Sequence, residues 1–184
     1  MKPRPVDPRR LDVEAFAKDA SELEGDWPLA GFERLSEAAH DDARPAESDL
    51  VHWHVRGESV PVRGAAPQTW LHLRATARLA LVCQRCLAPI DTPIEAERSF
   101  LFVPGEEAAA QLDADHEEDV LALTRSLDLR ELVEDELLLA LPLVPRHELC
   151  PHPLPMERSD QPSEAGRPNP FAALATLKRD GPPN

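Results

Sequence analysis

Two long alternating runs joined by a short turn constrain this chain more than any other feature. In the first run Leu71, Leu73, Ala75, Ala77, Leu79 and Leu81 share one parity, and His72, Arg74, Thr76 and Arg78 share the other. The second run carries Ile94, Ala96, Arg98, Phe100 and Phe102 at the same spacing. Successive side chains of a strand point to opposite faces, so period-two alternation predicts strands with one face on a core. Between them lies Cys83-Gln84-Arg85-Cys86-Leu87, so the pair reads as an antiparallel hairpin. An earlier stretch repeats the pattern, with Val51, Trp53 and Val55 on one side and His52, His54 and Arg56 on the other.

Helical signals flank this strand-rich middle. Asp128-Leu129-Arg130-Glu131 is a capping box, in which the Asp accepts from backbone N–H groups and the Glu reaches back. It opens a helix predicted over 129–141, with Leu129, Leu132, Val133, Leu137, Ala140 and Leu141 on one stripe. Pro142 and Pro145 end it. Asp7 and Pro8 suit the cap and first position of a helix over 9–23, closed by Gly25 and Pro28. Residues 31–39 read as strand or weak helix, 41–49 as loop, and the acidic, Ala-rich stretch 106–119 as a mobile loop. A last short helix is expected from the cap Asn169 and Pro170 through Arg179, with Phe171, Leu174 and Leu177 as its apolar strip.

The expected fold is α+β: an antiparallel sheet over about 50–103, able to curl toward a barrel, packed against a few helices. The 20 prolines gather in the first fifty residues and after Leu141, which puts irregular chain at both ends. The reading divides the chain into an N-terminal helix and linker (1–49), a single core domain (50–150), a disordered Pro-rich linker (151–168) and a C-terminal motif (169–184). No apolar run nears the roughly 18 residues of a membrane span, and no signal peptide is visible. With three cysteines, a reducing, cytoplasmic setting is expected.

The net charge of −14 argues against a general nucleic-acid binder, because phosphate affinity needs clustered Lys and Arg. The charge is uneven. Residues 50–103 hold six arginines against Glu58, Asp91, Glu95 and Glu97, a block of +2 in a chain otherwise at −16. His52, His54, Arg56, His72, Arg74 and Arg78 fall on the outer parity. If the strands are neighbours, they form a His/Arg patch suited to RNA phosphate or an acidic protein. The alternative is a solvated face whose arginines pair across strands with Glu95 and Glu97. The tryptophans 27, 53 and 70 read as core or edge packing.

Cys83 and Cys86 have the spacing of a zinc knuckle, and zinc takes four tetrahedral N or S ligands. Cys150 with His152, or with His147, could complete the set if the end of the long helix packs beside the turn. Unmetallated thiols are the alternative. A redox pair is disfavoured, because that chemistry needs the C-x-x-C to open a helix. No Gly-rich phosphate loop, Ser elbow or H-E-x-x-H is present. The expectation is therefore a protein that is not an enzyme, with no small-molecule substrate and no membrane partner.

Three segments carry a family resemblance. They are Leu81-Val82-Cys83-Gln84-Arg85-Cys86-Leu87; Leu127-Asp128-Leu129 leading into Val133-Glu134-Asp135-Glu136-Leu137 and on to Pro145; and Pro168-Asn169-Pro170-Phe171-Ala172 through Arg179. Together they resemble the YceD family, whose members are called large ribosomal RNA subunit accumulation proteins. The resemblance implies a small bacterial cytoplasmic protein supporting synthesis, processing or stability of large-subunit ribosomal RNA, without catalysis. Related chains often carry extra C-terminal cysteines, consistent with zinc; this chain has only Cys150 there.

Two expectations follow. One is an accessory factor that meets precursor RNA or a pre-ribosomal particle through the His/Arg face. The other is an acidic adaptor for a ribosomal protein or ribonuclease, with Phe171, Leu174 and Leu177 as bait. A zinc-dependent redox sensor is a weaker third.

Overall fold

A computed structural model describes residues 6–151. Five strands form one open sheet in the order β1-β2-β3-β4-β5: β1 Glu22–Pro28, β2 Leu50–Val60, β3 Gln68–Val82, β4 Pro89–Val103 and β5 Asp119–Ala122. The first four are antiparallel neighbours, and β5 joins β4 in parallel. The α+β class is as expected, but the sheet does not close into a barrel. β1 and β5 remain its two edges.

The β3–β4 hairpin follows the alternation of the sequence. Leu71, Leu73, Ala75, Leu79, Ile94, Phe100 and Phe102 are buried on its inner face. Three helices cover that face: α1 Val13–Lys18, α2 Glu33–Glu37 and α4 Leu129–Leu139. Leu129, Val133 and Leu137 are fully buried, as the stripe predicted. Asp128 caps α4 by accepting from the N–H groups of Arg130 and Glu131.

The N-terminal expectations need correction. Helix α1 is six residues long and is capped by Asp12, which accepts from Ala15 N–H. Residues 22–28 are strand, pairing with 50–56. Strand pairing along β2 overrides local helix preference there. Gly25 lies across from Trp53, where an added Cβ would meet the indole at 2.9 Å. The bare glycine lets Trp53 lie flat and stack on Trp27 at 4.4 Å. Residues 29–39 form a 3-10 turn (Leu29–Gly31) and α2.

The stretch 106–119 is likewise not a loop. It holds α3 Glu106–Asp113 and leads into β5. Glu, Ala and Gln are strong helix formers, and one face of α3 lays Ala109 against Leu101 and Val120, with Trp70 alongside. This satellite cluster covers the outer face at the far end of β3 and β4.

Among the described residues, no helix is long and apolar enough to cross a membrane. The expected disordered linker from 152 onward, the helix over 169–179, and His152, Phe171, Leu174 and Leu177 lie outside the described residues.

Candidate functional site

The hairpin tip is built as a knuckle. Cys83 N–H donates to Ala88 O at 3.0 Å, and Leu87 N–H donates to Cys83 O at 2.9 Å. Closing this turn puts Leu87 at φ 61°, a left-handed backbone that is unfavourable for leucine. Both thiols are buried. The chain leaving α4 then wraps the knuckle, with Gln84 N–H donating to Pro145 O at 2.9 Å. Arg85 extends the clamp: its guanidinium donates to His147 O at 3.0 Å and Glu148 O at 3.1 Å, and its Nε lies 2.9 Å from Cys150 Sγ.

This brings Cys83, Cys86, His147 and Cys150 together, with one ligand atom from each and all four atoms within 4.8 Å of one another. Cys83 Sγ and Cys150 Sγ are 4.0 Å apart, and Cys86 Sγ and His147 Nδ1 are 3.5 Å apart. With Zn–S near 2.3 Å and Zn–N near 2.1 Å, a regular tetrahedron has S···S edges of about 3.8 Å and S···N edges of about 3.6 Å. The donor set and its spacing fit a zinc ion. His147 is the histidine found with the three thiols.

The thiols are electrostatically unequal. Burial raises the Cys83 thiol, but N–H groups of His147, Arg85 and Cys86 and the His147 ring outweigh it, taking the pKa down to about 5. At Cys86 an N–H from Ala88 pulls down, while burial and the neighbouring thiols push up, and the net direction is up. A thiolate held by backbone N–H groups is ready to ligate, and a cation in the centre would remove the repulsion that holds Cys86 protonated.

The sheet's outer face brings all six expected His and Arg residues together. The register sets them in rows. One row runs Asp26, His52, Thr76, Glu95; the next runs Glu24, His54, Arg74, Glu97; the third runs Glu22, Arg56, His72, Ser99. The bases occupy the two middle strands and carboxylates occupy most of the flanks. Arg74 pairs with Glu95 at 2.6 Å, His52 with Asp26 at 2.5 Å, His72 with Glu58 at 3.0 Å, and Arg78 with Asp91. Seven carboxylates (Glu22, Glu24, Asp26, Glu58, Asp91, Glu95, Glu97) face three guanidiniums (Arg56, Arg74, Arg78). Three of the seven, Glu22, Glu24 and Asp26, lie on β1 and so outside the block 50–103, which holds the other four.

Three acids of α4 make tertiary contacts that are invisible in the sequence. Glu134 accepts from Leu35 N–H at 3.1 Å, supplying α2 with a cap from another element, and also pairs with Arg34 at 3.2 Å. Asp135 pairs with Arg34 at 2.6 Å. Glu136 is buried and meets Arg98, an inner-face residue, at 3.3 Å.

A family model described as large ribosomal RNA subunit accumulation protein YceD matches residues 71–178. That span is more than half of the chain. The chain belongs to the YceD family. It is also similar to the large ribosomal RNA subunit accumulation protein YceD of Haemophilus influenzae, at 39% identity over 107 residues, covering 54% of this chain and 59% of the relative. The match thus spans about three-fifths of that YceD protein's length. No solved structure matches the chain. The YceD match takes in the knuckle, its closing segment and α4, whereas α1, α2, β1 and β2 precede it.

Proposed function

We propose that this chain is a non-catalytic accessory factor in ribosome biogenesis, supporting the accumulation of large-subunit ribosomal RNA in the cytoplasm. The observation that carries the reading is membership of the YceD family across the knuckle and α4. Zinc held by Cys83, Cys86, His147 and Cys150 has a structural part in it: the ion would tie the segment after α4 to the hairpin tip. Three thiolates and one imidazole fill a closed tetrahedral shell, leaving no open position for a substrate or water. The test is deletion of the gene in its host. Large-subunit RNA should fall relative to small-subunit RNA and recover with the wild-type chain. An unchanged ratio would refute the reading.

A specific observation favours the adaptor form of this role. The sheet face expected to meet RNA carries −4 with its histidines neutral, and the whole chain carries −14. Phosphate is repelled by such a surface at long range. In this form the chain contacts a basic protein of the particle, with Phe171, Leu174 and Leu177 as a further contact. Ultraviolet crosslinking of the tagged chain, followed by sequencing of bound RNA, separates the forms. Little RNA enrichment is expected; strong enrichment of large-subunit precursor would restore His52, His54, Arg56, His72, Arg74 and Arg78 as an RNA surface.

A further inference from the structure

The outer face is a trough as well as a charged surface. Two depressions of about 490 and 500 Å³ adjoin through His52 and Thr76, and a third of about 320 Å³ joins the second through His54 and Arg74. The floor follows the β2–β3 boundary, because Thr76 is short between longer neighbours. The rims are carboxylates: Glu24 and Asp26 on β1, Glu95 and Glu97 on β4.

We infer that this trough binds an extended, lysine- or arginine-rich polypeptide segment of a partner protein. The inference rests on the adaptor form above and names its surface and partner. Three strand spacings separate β1 from β4, about 14 Å in all. A single extended chain along the centre line therefore lies about 7 Å from each rim. Its side chains alternate left and right, and the four-carbon lysine stem suits that reach. Alternate basic residues meet Glu24 on one side and Glu97 on the other, which have no ion-pair partner of their own among the described residues. A single RNA strand in the same place would meet Arg56, Arg74 and Arg78, but seven carboxylates outnumber them on this face, and both rims lie within the roughly 8 Å over which charges interact in physiological salt.

The test is fluorescence anisotropy with the full chain and a labelled peptide of about eight consecutive lysines, whose side chains alternate between the two rims and whose length tracks β2. Glu24→Lys with Glu97→Lys should weaken binding at least about tenfold. Glu106→Lys with Glu107→Lys on α3 makes the same change in net charge away from the trough and should leave affinity within about twofold. The milder Glu24→Gln with Glu97→Gln guards against misfolding and should weaken binding in the same direction. Equal weakening by the rim and α3 variants, or no binding by the wild type, overturns the trough while leaving the adaptor form free to use another surface. A single-stranded RNA probe that binds and is lost on Arg74→Glu overturns both.

Discussion

At the scale of single residues, the knuckle yields the sharpest expectations. His147→Ala should lower zinc affinity by orders of magnitude in competition with a chromophoric chelator, whereas His152→Ala should leave it unchanged. Arg85 reaches Cys150 and the adjacent carbonyls of His147 and Glu148 in the closing loop, so it pre-sets two of the four candidate ligands. Arg85→Ala should cost about 10–100-fold in affinity in the same assay, the range for groups that orient metal ligands. Glu136 tests a different point. Burial raises its carboxyl, Arg98 lowers it, and Asp119 and Asp135 raise it again, leaving it above the ordinary carboxylate range. A raised acid holds its proton better when folded, so its contribution is full below its unfolded pKa and is lost as pH rises through the folded value. Glu136→Gln keeps an acceptor for Arg98 without the charge. Its stability relative to wild type in urea titrations should therefore increase as pH rises from about 4 to 7.

Elements are held together by contacts that bind one to the next. Helix α2 is five residues long and lacks a side-chain cap of its own at Phe32. Glu134 of α4 supplies one from across the interface. Helices this short are marginal without such help. Glu134→Ala should destabilise the fold by about 1 kcal/mol, the usual worth of a cap, measured by chemical denaturation. Helix α1 depends on a close approach instead. At Gly57 an added Cβ would meet the Ala17 backbone at 2.8 Å and Phe16 at 2.7 Å. Gly57→Ala should cost about 1–3 kcal/mol, as overpacking does, because backbone has less room to give than a side chain.

At the largest scale, residues 6–151 form a sheet with helices under one face and a charged trough on most of the other. The Cys83, Cys86, His147 and Cys150 cluster sits at the hairpin tip, beyond the main core of leucines and phenylalanines. Removing zinc should therefore loosen the closing loop without dissolving the sheet. Far-ultraviolet circular dichroism should survive chelation. With metal at about a hundred times its Kd, its loss removes about 2.7 kcal/mol, a fall in Tm of roughly 5–10 °C for a chain this size.

What could be read without coordinates was whatever is periodic or local. The alternation in 71–81 and 94–102 placed β3 and β4 and their buried residues, since strand faces repeat every two positions whatever surrounds them. Asp128 marked the start of α4, because capping is a local hydrogen bond. Cys83 and Cys86 stood out because knuckle spacing is short-range. The tertiary structure decided the rest. Residues 22–28 became a strand because β2 offered an edge to pair with, and 106–113 became a packed helix because Leu101 and Val120 offered apolar cover. His147 joined the thiols across sixty-one residues of sequence through a loop clamped by Arg85, a juxtaposition no spacing rule encodes. The charge of the outer face also had to wait for the register. A strand's own residues show which side they take, but only pairing shows that the acids of β1 and β4 flank the bases between them.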